Sequence, residues 1–338
     1  MYVPLNDTYI SLAPMPAARY RHISCNIGST LYYFGGRVLG VDTIIKSVIS
    51  FDTVTRQWAT IVGSYPSDLG SDNSCSTVGD TIYVMGGYNA NYDVAFKTTY
   101  AFKPSALTIW TPKSGVLSIG RGDFASVSIG GKIYAYGGYV SSDFCKPLRS
   151  VEVYDPTLDT WTATTSLYSG LAQKDDGVVI GGVFLSIGGE TKSKSVGCVD
   201  TDILPLKPCY SFNPVTKFWS NETTLPDARM RFAATSSNDV AYVFGGQGPI
   251  VNGNKNPILY SAYSYIPTSA TSAGEKTVPY SAFAGAVAGA VITTFVVAFI
   301  VYRCYRLRVV SSSSSSTYAS STAQSSKHSD QVMLTTLP

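Results

Sequence analysis

Few side chains in this sequence are equipped for chemistry. It holds two histidines, His22 and His328, so a Ser-His-Asp relay would have to use His22, and no supporting motif accompanies it. Carboxylates pair at Asp175-Asp176 and at Asp200 and Asp202. Such pairs bind calcium or divide acid and base roles, but among loop residues they read as solvated side chains. The six cysteines are Cys25, Cys75, Cys145, Cys198, Cys209 and Cys304. None forms a Cys-x-x-Cys pair, so no metal site is expected. Cys198 and Cys209 bound an expanded segment that a disulfide between them would pin, with Cys145 as the rival partner. Cys25 and Cys75 lie three and four residues before equivalent turns. They should face opposite sides of their strands, and they read as small buried hydrophobes. Cys304 is placed for palmitoylation beside an apolar run. Asn6-Asp7-Thr8 and Asn221-Glu222-Thr223 are glycosylation acceptors if the chain is secreted.

The elements that must position these residues repeat. Gly35-Gly36, Gly86-Gly87, Gly137-Gly138 and Gly188-Gly189 are spaced 51 residues apart, and Gly245-Gly246 follows after 57. Each pair ends an apolar run: LYYFGG, IYVMGG, IYAYGG, FLSIGG, AYVFGG. Seven residues before each pair stands a turn residue, Gly28, Gly79, Gly130, Gly181 or Asn238, of types that tolerate the positive φ of tight hairpins. Two short strands therefore open each unit. After the first four pairs comes an aromatic, a turn and a tryptophan: Phe51 to Trp58, Phe102 to Trp110, Tyr154 to Trp161, Phe212 to Trp219. Apolar-polar alternation as in VEVY predicts a third and a fourth half-buried strand. The glycines of IGGVFLSIGGE are then hairpin turns, not a nucleotide-binding loop. One such unit cannot bury its faces alone, whereas several packed around an axis can.

A Gly-Gly pair after an apolar strand, then an aromatic and a tryptophan, at a period near 50 residues, resembles the Kelch repeat. The resemblance covers roughly residues 7–266. It implies an all-β fold, a Kelch-type β-propeller with five blades seen, either a complete ring or part of one of six or seven. The fifth unit has no tryptophan, and the N-terminal segment DTYISLAPMPAAR looks like the end of a unit; as an outer strand it would close the last blade. Galactose oxidase and similar copper enzymes share this architecture, and their resemblance implies two histidine ligands and a Tyr–Cys cross-link. A single histidine in the propeller cannot meet that pattern, so neither the activity nor a cofactor is carried over, and the chain is expected not to be an enzyme. By the same resemblance, loops at one propeller face hold the ligand. The binding candidates are Arg19, Arg121 and Arg229, each nine residues before its turn, with Tyr88, Tyr92 and Tyr139 as aromatic anchors. The alternative is that each arginine staples adjacent blades. Arg121-Gly122-Asp123 spells an integrin tripeptide, which the repeat position of Arg121 already explains.

Phe283 to Tyr302 is 20 residues without a charge, long enough to cross a bilayer as a helix. Arg303, Arg306 and Arg308 follow it, which by the positive-inside rule puts the C-terminus in the cytoplasm and the propeller outside. The expected domains are the propeller at 1–266, a small polar stalk at 267–282, one membrane-spanning helix at 283–302 and a disordered Ser-rich tail at 303–338. Gly285 and Gly289 form a GxxxG spacing suited to a homodimer. The start, MYVPLNDTYI, has neither the basic region nor the apolar core of a signal peptide, which leaves open a cytosolic propeller on a membrane tether. Of the net charge of +3, all sits in the tail, where four basic residues face Asp330; the remainder balances at 21 basic and 21 acidic. A neutral main domain does not read as a nucleic-acid binder, which needs a basic face to neutralise phosphates. The expected role is therefore binding or adhesion to a protein or glycan, with a carbohydrate-active propeller enzyme and a cytosolic-facing scaffold as alternatives.

Overall fold

The computed structural model describes residues 2–3, 8–265 (apart from 42, 62–64, 107–108, 168–176, 195, 200–201 and 251–255) and 336–337. Five four-stranded antiparallel sheets follow one another along the chain. Blade one is β3 (Ile23–Ile27), β4 (Thr30–Phe34), β5 (Val48–Asp52) and β6 (Gln57–Ile61), preceded by a hairpin of β1 (Tyr2–Val3) and β2 (Thr8–Tyr9). Blade two is β7 (Ser74–Val78), β8 (Thr81–Met85), β9 (Thr99–Phe102) and β10 (Trp110–Pro112). Blade three is β11 (Ala125–Ile129), β12 (Lys132–Tyr136), β13 (Val151–Asp155) and β14 (Thr160–Thr164). Blade four is β15 (Val178–Ile180), β16 (Val183–Ile187), β19 (Cys209–Asn213) and β20 (Phe218–Glu222), with β17 (Glu190–Lys192) and β18 (Ile203–Pro205) forming a hairpin in its expanded loop. Blade five is β21 (Ala233–Ser237), β22 (Val240–Phe244), β23 (Ala262–Tyr265) and β24 (Thr336–Leu337).

The repeated residues explain these sheets. In blade five, Asn238 and Asp239 both take positive φ, 51° and 59°, the type I′ turn whose twist matches a two-residue hairpin. In the turn between third and fourth strands, a side-chain oxygen at the strand end accepts backbone N–H groups: Asp52 from Val54 and Thr55, Asp155 from Thr157, Asn213 from Val215. The aromatic and the tryptophan are register partners across this turn, which is why their spacing is conserved between repeats. Their rings lie 4.8 Å apart for Phe51–Trp58 and Phe102–Trp110, 5.1 Å for Tyr154–Trp161 and 4.9 Å for Phe212–Trp219. Each such pair contributes about 0.5–1.5 kcal/mol beyond its burial.

The core lies between blades. Tyr32 and Phe34 of blade one meet Ile82, Val84 and Trp110 of blade two. Tyr83 and Met85 meet Ile133, Ala135 and Tyr154; Tyr134 and Tyr136 meet Phe184 and Trp219; Leu185 and Ile187 meet Ala241 and Val243. Alternation along the second strand of each blade thus sends successive residues into opposite gaps. Four gaps are filled this way. Among the described residues no such cluster joins blade five to blade one. Phe244, the blade-five counterpart of the fully buried Phe34 and Tyr136, and Tyr242, the counterpart of the buried Tyr32 and Tyr134, are only half-buried, as are Leu31 and Tyr33 opposite them. A cleft of about 590 Å³ opens at this seam. Around the axis, the innermost strands β3, β7, β11, β15 and β21 line a channel of about 400 Å³. Small hydroxyl side chains suit the crowding there: Ser74, Ser76 and Ser126 share hydrogen bonds of 2.8 Å.

Three expectations change. First, the N-terminal segment does not complete the last blade: β2 pairs with β1, and Ala13 accepts a hydrogen bond from Trp58 of blade one (3.0 Å). Thr336–Leu337 stands fourth in blade five instead, opposite Ala262 and Tyr263. Second, Cys25 and Cys75 are not separate hydrophobes but a disulfide. Facing opposite sides of their own strands is what brings them together, because strands of successive blades share one gap: Cys25 pairs in register with Tyr32 and Cys75 with Val84, both lining the same core cluster. Third, Cys198 bonds to Cys145, and Cys209 is a free buried thiol. Cys209 opens β19 opposite Ile187 and is committed to the core, whereas Cys198 lies in the loop that reaches blade three. The proposed span 283–302, Gly285, Gly289, the stalk, Cys304 and the tail apart from Thr336–Leu337 lie outside the described residues; that pair, expected in a disordered tail, is strand β24. Among those described, no helix is long and apolar enough to cross a membrane.

Candidate ligand-binding face

The Gly-Gly pair does more than end a strand. A Cβ on the second glycine would fall 2.8 Å from the carbonyl oxygen of Tyr20 at Gly36, 2.7 Å from that of Ser71 at Gly87, 2.6 Å from Gly122 at Gly138 and 2.7 Å from Met230 at Gly246. Only glycine permits this approach, at φ of 87–95°. The backbone held there pairs in an isolated bridge (Tyr20 with Arg37, Ser71 with Tyr88, Gly122 with Tyr139, Met230 with Gln247). The next residue is forced into positive φ: Arg21 at 55°, Asp72 at 59°, Asp123 at 52°, Arg231 at 54°. A non-glycine residue in this region costs about 1–3 kcal/mol, and such positions cluster at functional sites. Each blade therefore delivers a charged side chain at one repeat position, seven residues before its hairpin turn. The fourth-blade counterpart, Lys174, lies outside the described residues.

These charges meet. Arg21 Nη1 lies 2.8 Å from Asp72 and 3.9 Å from Asp123. Burial pushes the guanidinium pKa down, but the two carboxylates outweigh it and hold the pKa above its ordinary value. Arg231 Nε lies 3.2 Å from Glu190 in β17. Tyr92 lies against the Arg37 guanidinium (3.9 Å from ring centroid to carbon) and near that of Arg21 (5.3 Å). The Tyr139 hydroxyl donates to Glu190 (3.4 Å) and the Tyr88 hydroxyl to the Tyr139 carbonyl (2.9 Å). Together they wall a cavity of about 210 Å³ lined by Arg21, Tyr92, Asp123, Tyr139, Glu190 and Arg231, with Phe144, Lys192 and Ile203. The seam cleft adjoins it and shares Arg21 and Arg231. The arrangement is a polar, aromatic-sided recess with arginines toward blades five and one, carboxylates toward blades two to four, and Lys192 of the blade-four loop among its lining. Among the described residues, no group of three or more His, Cys, Asp or Glu is placed to hold a metal ion.

The arginines read from the sequence sit elsewhere. Arg121 and Arg229 are fully buried. Arg121 donates to the carbonyls of Gly137 and Ser150, the Ser150 hydroxyl and the Glu152 carboxylate. Arg229 repeats the pattern with Gly245 and Ser261, and Arg19 with Gly35 and Ser47. Each arginine clamps the first glycine of its own blade's Gly-Gly pair to the serine just before the third strand. They are internal clamps within one blade, not a ring on the binding face and not staples between blades. Tyr88 is fully buried behind the recess, while Tyr92, half-buried, and Tyr139 line it. Asn221 is exposed on β20, and Asn6 lies outside the described residues. Of the tryptophans, Trp110 and Trp219 are buried between blades and Trp58 and Trp161 are half-buried. Sequence reasoning missed Arg21, Asp72, Asp123, Glu190 and Arg231. For Arg21, Asp123 and Arg231 the available signal was a charge two positions after the clamp arginine; Asp72 follows Gly70 at the same repeat position, and Glu190 follows a Gly-Gly pair.

The chain is 26% identical to human Kelch-like protein 23 over 243 residues, 72% of this chain and 40% of that protein. It is 26% identical to Bos taurus Kelch domain-containing protein 3 over 157 residues, 44% of this chain and 41% of the relative. The chain thus spans about 40% of the length of these relatives. Among solved structures, YjhT superposes with a TM-score of 0.63 at 16% identity, covering 77% of this chain and 85% of that one, which shows the shared fold. The KLHDC2/KLHL20/DRC7 Kelch-repeats domain matches residues 21–246, from the first residue of the charged ring to the last Gly-Gly pair, and the chain belongs to that Kelch-repeat family.

Proposed function

We propose that the propeller is a protein-binding module without intrinsic catalysis, and that the recess between Arg21, Tyr92, Asp123, Tyr139 and Arg231 is where a segment of the partner docks. The observation that carries this reading is the charged ring: four of the five repeats spend backbone strain on an ionic side chain at one position, and three of these, Arg21, Asp123 and Arg231, line the recess while Asp72 is buried against Arg21. A peptide segment matches its mixed charge and aromatic walls, with Tyr92 and Arg231 as anchors. The test compares affinity capture from cell-surface extracts by the wild-type chain, Tyr92→Ala, Arg231→Glu and a rim control, Thr60→Lys. Partners kept by the control and lost by both recess variants support the reading. Partners retained by all four proteins overturn it.

We further infer that the propeller faces the cell exterior or a lumen and that residues 283–302 hold it to the membrane, with the C-terminus in the cytoplasm. The apolar run with its following arginines supports the anchor. Two disulfides, each joining neighbouring blades, support an oxidising compartment. This anchor and strand β24 exclude one another in a single molecule. A span at 283–302 carries residues 303–338 across the bilayer, where Thr336 cannot pair with Tyr263. Cysteines introduced at Tyr263 and Thr336, in a Cys304→Ser background, separate the two. Absence of an intramolecular cross-link in membrane-bound protein fits the anchor, and quantitative cross-linking refutes it.

A further inference from the structure

We propose that Asn221 carries an N-linked glycan and that this glycan shields the outer edge of blade four; the inference rests on the reading that the propeller faces the exterior. Three observations of different kinds converge on it. The first is the acceptor pattern Asn221-Glu222-Thr223, which supplies the amide and the hydroxyl two residues on that transfer requires. The second is placement. Asn221 stands in β20, the outermost strand of its sheet. The buried residues Trp219 and Glu222 hold the strand in place, and the Asn221 side chain is exposed between them. Among the described residues it makes no side-chain hydrogen bond, so its Nδ2 is presented outward. Asn73, in the related tripeptide Asn-Ser-Cys, shows the contrast. It is 5% exposed, and its amide donates to the Gly86 carbonyl (2.8 Å) while accepting from the Tyr65 hydroxyl (3.1 Å). That amide is an internal bolt that no sugar could reach.

The third observation is compartment. The inter-blade disulfides Cys25–Cys75 and Cys145–Cys198 need the oxidising lumen in which glycan transfer also takes place. The step itself balances with one co-reactant class, a lipid-linked oligosaccharide pyrophosphate. Asn221 Nδ2 forms a bond to the anomeric carbon of the first sugar, the bond from that carbon to the pyrophosphate oxygen breaks, the lipid pyrophosphate leaves with the electron pair, and the amide loses one proton.

A glycan at this position has a physical use. An outermost strand presents unpaired backbone groups that invite another sheet, and proteins blunt such edges with proline, charge or cover. The chain already does so in blade two, where β10 ends in Pro112. The described part of β20 contains no proline or lysine, and a sugar on Asn221 supplies the cover.

The test expresses the full chain in eukaryotic cells with a cleavable secretory leader. It reads glycosidase mobility shift and the mass of the peptide containing Asn221. We expect a shift assigned to that peptide and removed by either Asn221→Gln or Thr223→Ala. The second variant leaves Asn221 in place, so a folding failure of the first leaves the test intact. An unmodified Asn221 in folded, disulfide-bonded protein overturns the proposal. Enzymatic removal of the sugar from the native protein is expected to raise self-association by light scattering, and no change overturns the shielding role. The same chain without a leader tests the compartment separately: free thiols at Cys145 and Cys198 refute the exterior reading and leave the leader result standing.

Discussion

Replacing Arg121 by methionine keeps length and apolar bulk while deleting a fully buried guanidinium. The loss is unequal to that of an ordinary hydrogen bond, because of what the arginine faces. Two carbonyls and a hydroxyl lose a donor. In addition, the Glu152 carboxylate, 2% exposed, loses its cation and keeps the Ser118 N–H at 2.8 Å. Stranding one member of a buried ion pair costs about 3–5 kcal/mol. For a domain of this size, with about 2–4 °C per kcal/mol, the melting midpoint should fall by roughly 6–20 °C. Arg19→Met is the internal comparison: it removes the same clamp from Gly35 and Ser47, but no carboxylate is stranded, and its cost should stay near 1–2 kcal/mol. Adding Glu152→Gln to Arg121→Met keeps an acceptor for Ser118 and removes the buried charge, so it should recover more than half of the loss. Calorimetry of the four proteins measures all of this. The reasoning fails if Arg121→Met melts within about 2 °C of wild type, or if Glu152→Gln restores nothing.

Other outcomes follow from features already described. Gly138→Ala places a methyl group 2.6 Å from the Gly122 carbonyl oxygen at φ +87° and should destabilise by more than about 3 kcal/mol. Gly130→Ala, at φ +59° with open space around it, should cost about 1–2 kcal/mol by urea titration. Non-reducing peptide mapping should recover Cys25–Cys75 and Cys145–Cys198, with Cys209 alkylated only after unfolding, because burial pushes that thiol up to about 12. Burial raises the Asp159 pKa, but hydrogen bonds from Tyr154, Ser114 and Gly115 outweigh it and hold the carboxyl far below its ordinary range. A depressed folded pKa means that its stabilisation is complete above the unfolded value of about 3.9 and drains away as pH falls below it. Asp159→Asn should therefore flatten the acid limb of the stability curve below that pH, as followed by circular dichroism.

The sheets were legible because each repeat states them several times over. The hairpin turn, the aromatic strand, the Gly-Gly stop and the tryptophan partner are all local signals, and they agree. The site was less legible because it depends on what stands beside what around the ring. Arg19, Arg121 and Arg229 stood out by being repeated and charged, yet repetition marked a structural clamp. The ring residues Arg21, Asp72, Asp123 and Arg231 share a position but not a residue type, so a search for identity passes over them. Disulfide pairing failed for a related reason. Cys198 and Cys209 are close in sequence, whereas the partners that bond are one repeat apart, a distance that becomes short only when blades stack. Pairing of the last blade's edge was also invisible, since any extended segment of the chain could occupy it and no side-chain pattern selects among them.

The unfilled seam changes how the ring holds together. A closed circle of blades has no first or last member, and opening it anywhere means breaking two interfaces at once. Among the described residues, four gaps hold a shared cluster of buried residues and the seam between blades five and one holds none, the pattern of a linear stack bent into a circle. The disulfides divide that stack: Cys25–Cys75 welds blade one to blade two, and Cys145–Cys198 ties blade three to the loop of blade four. Neither disulfide joins blade five, which carries Arg231. Of the two arginines lining the recess, Arg21 therefore stands on a covalently bonded blade and Arg231 on one held by packing and by its ion pair with Glu190.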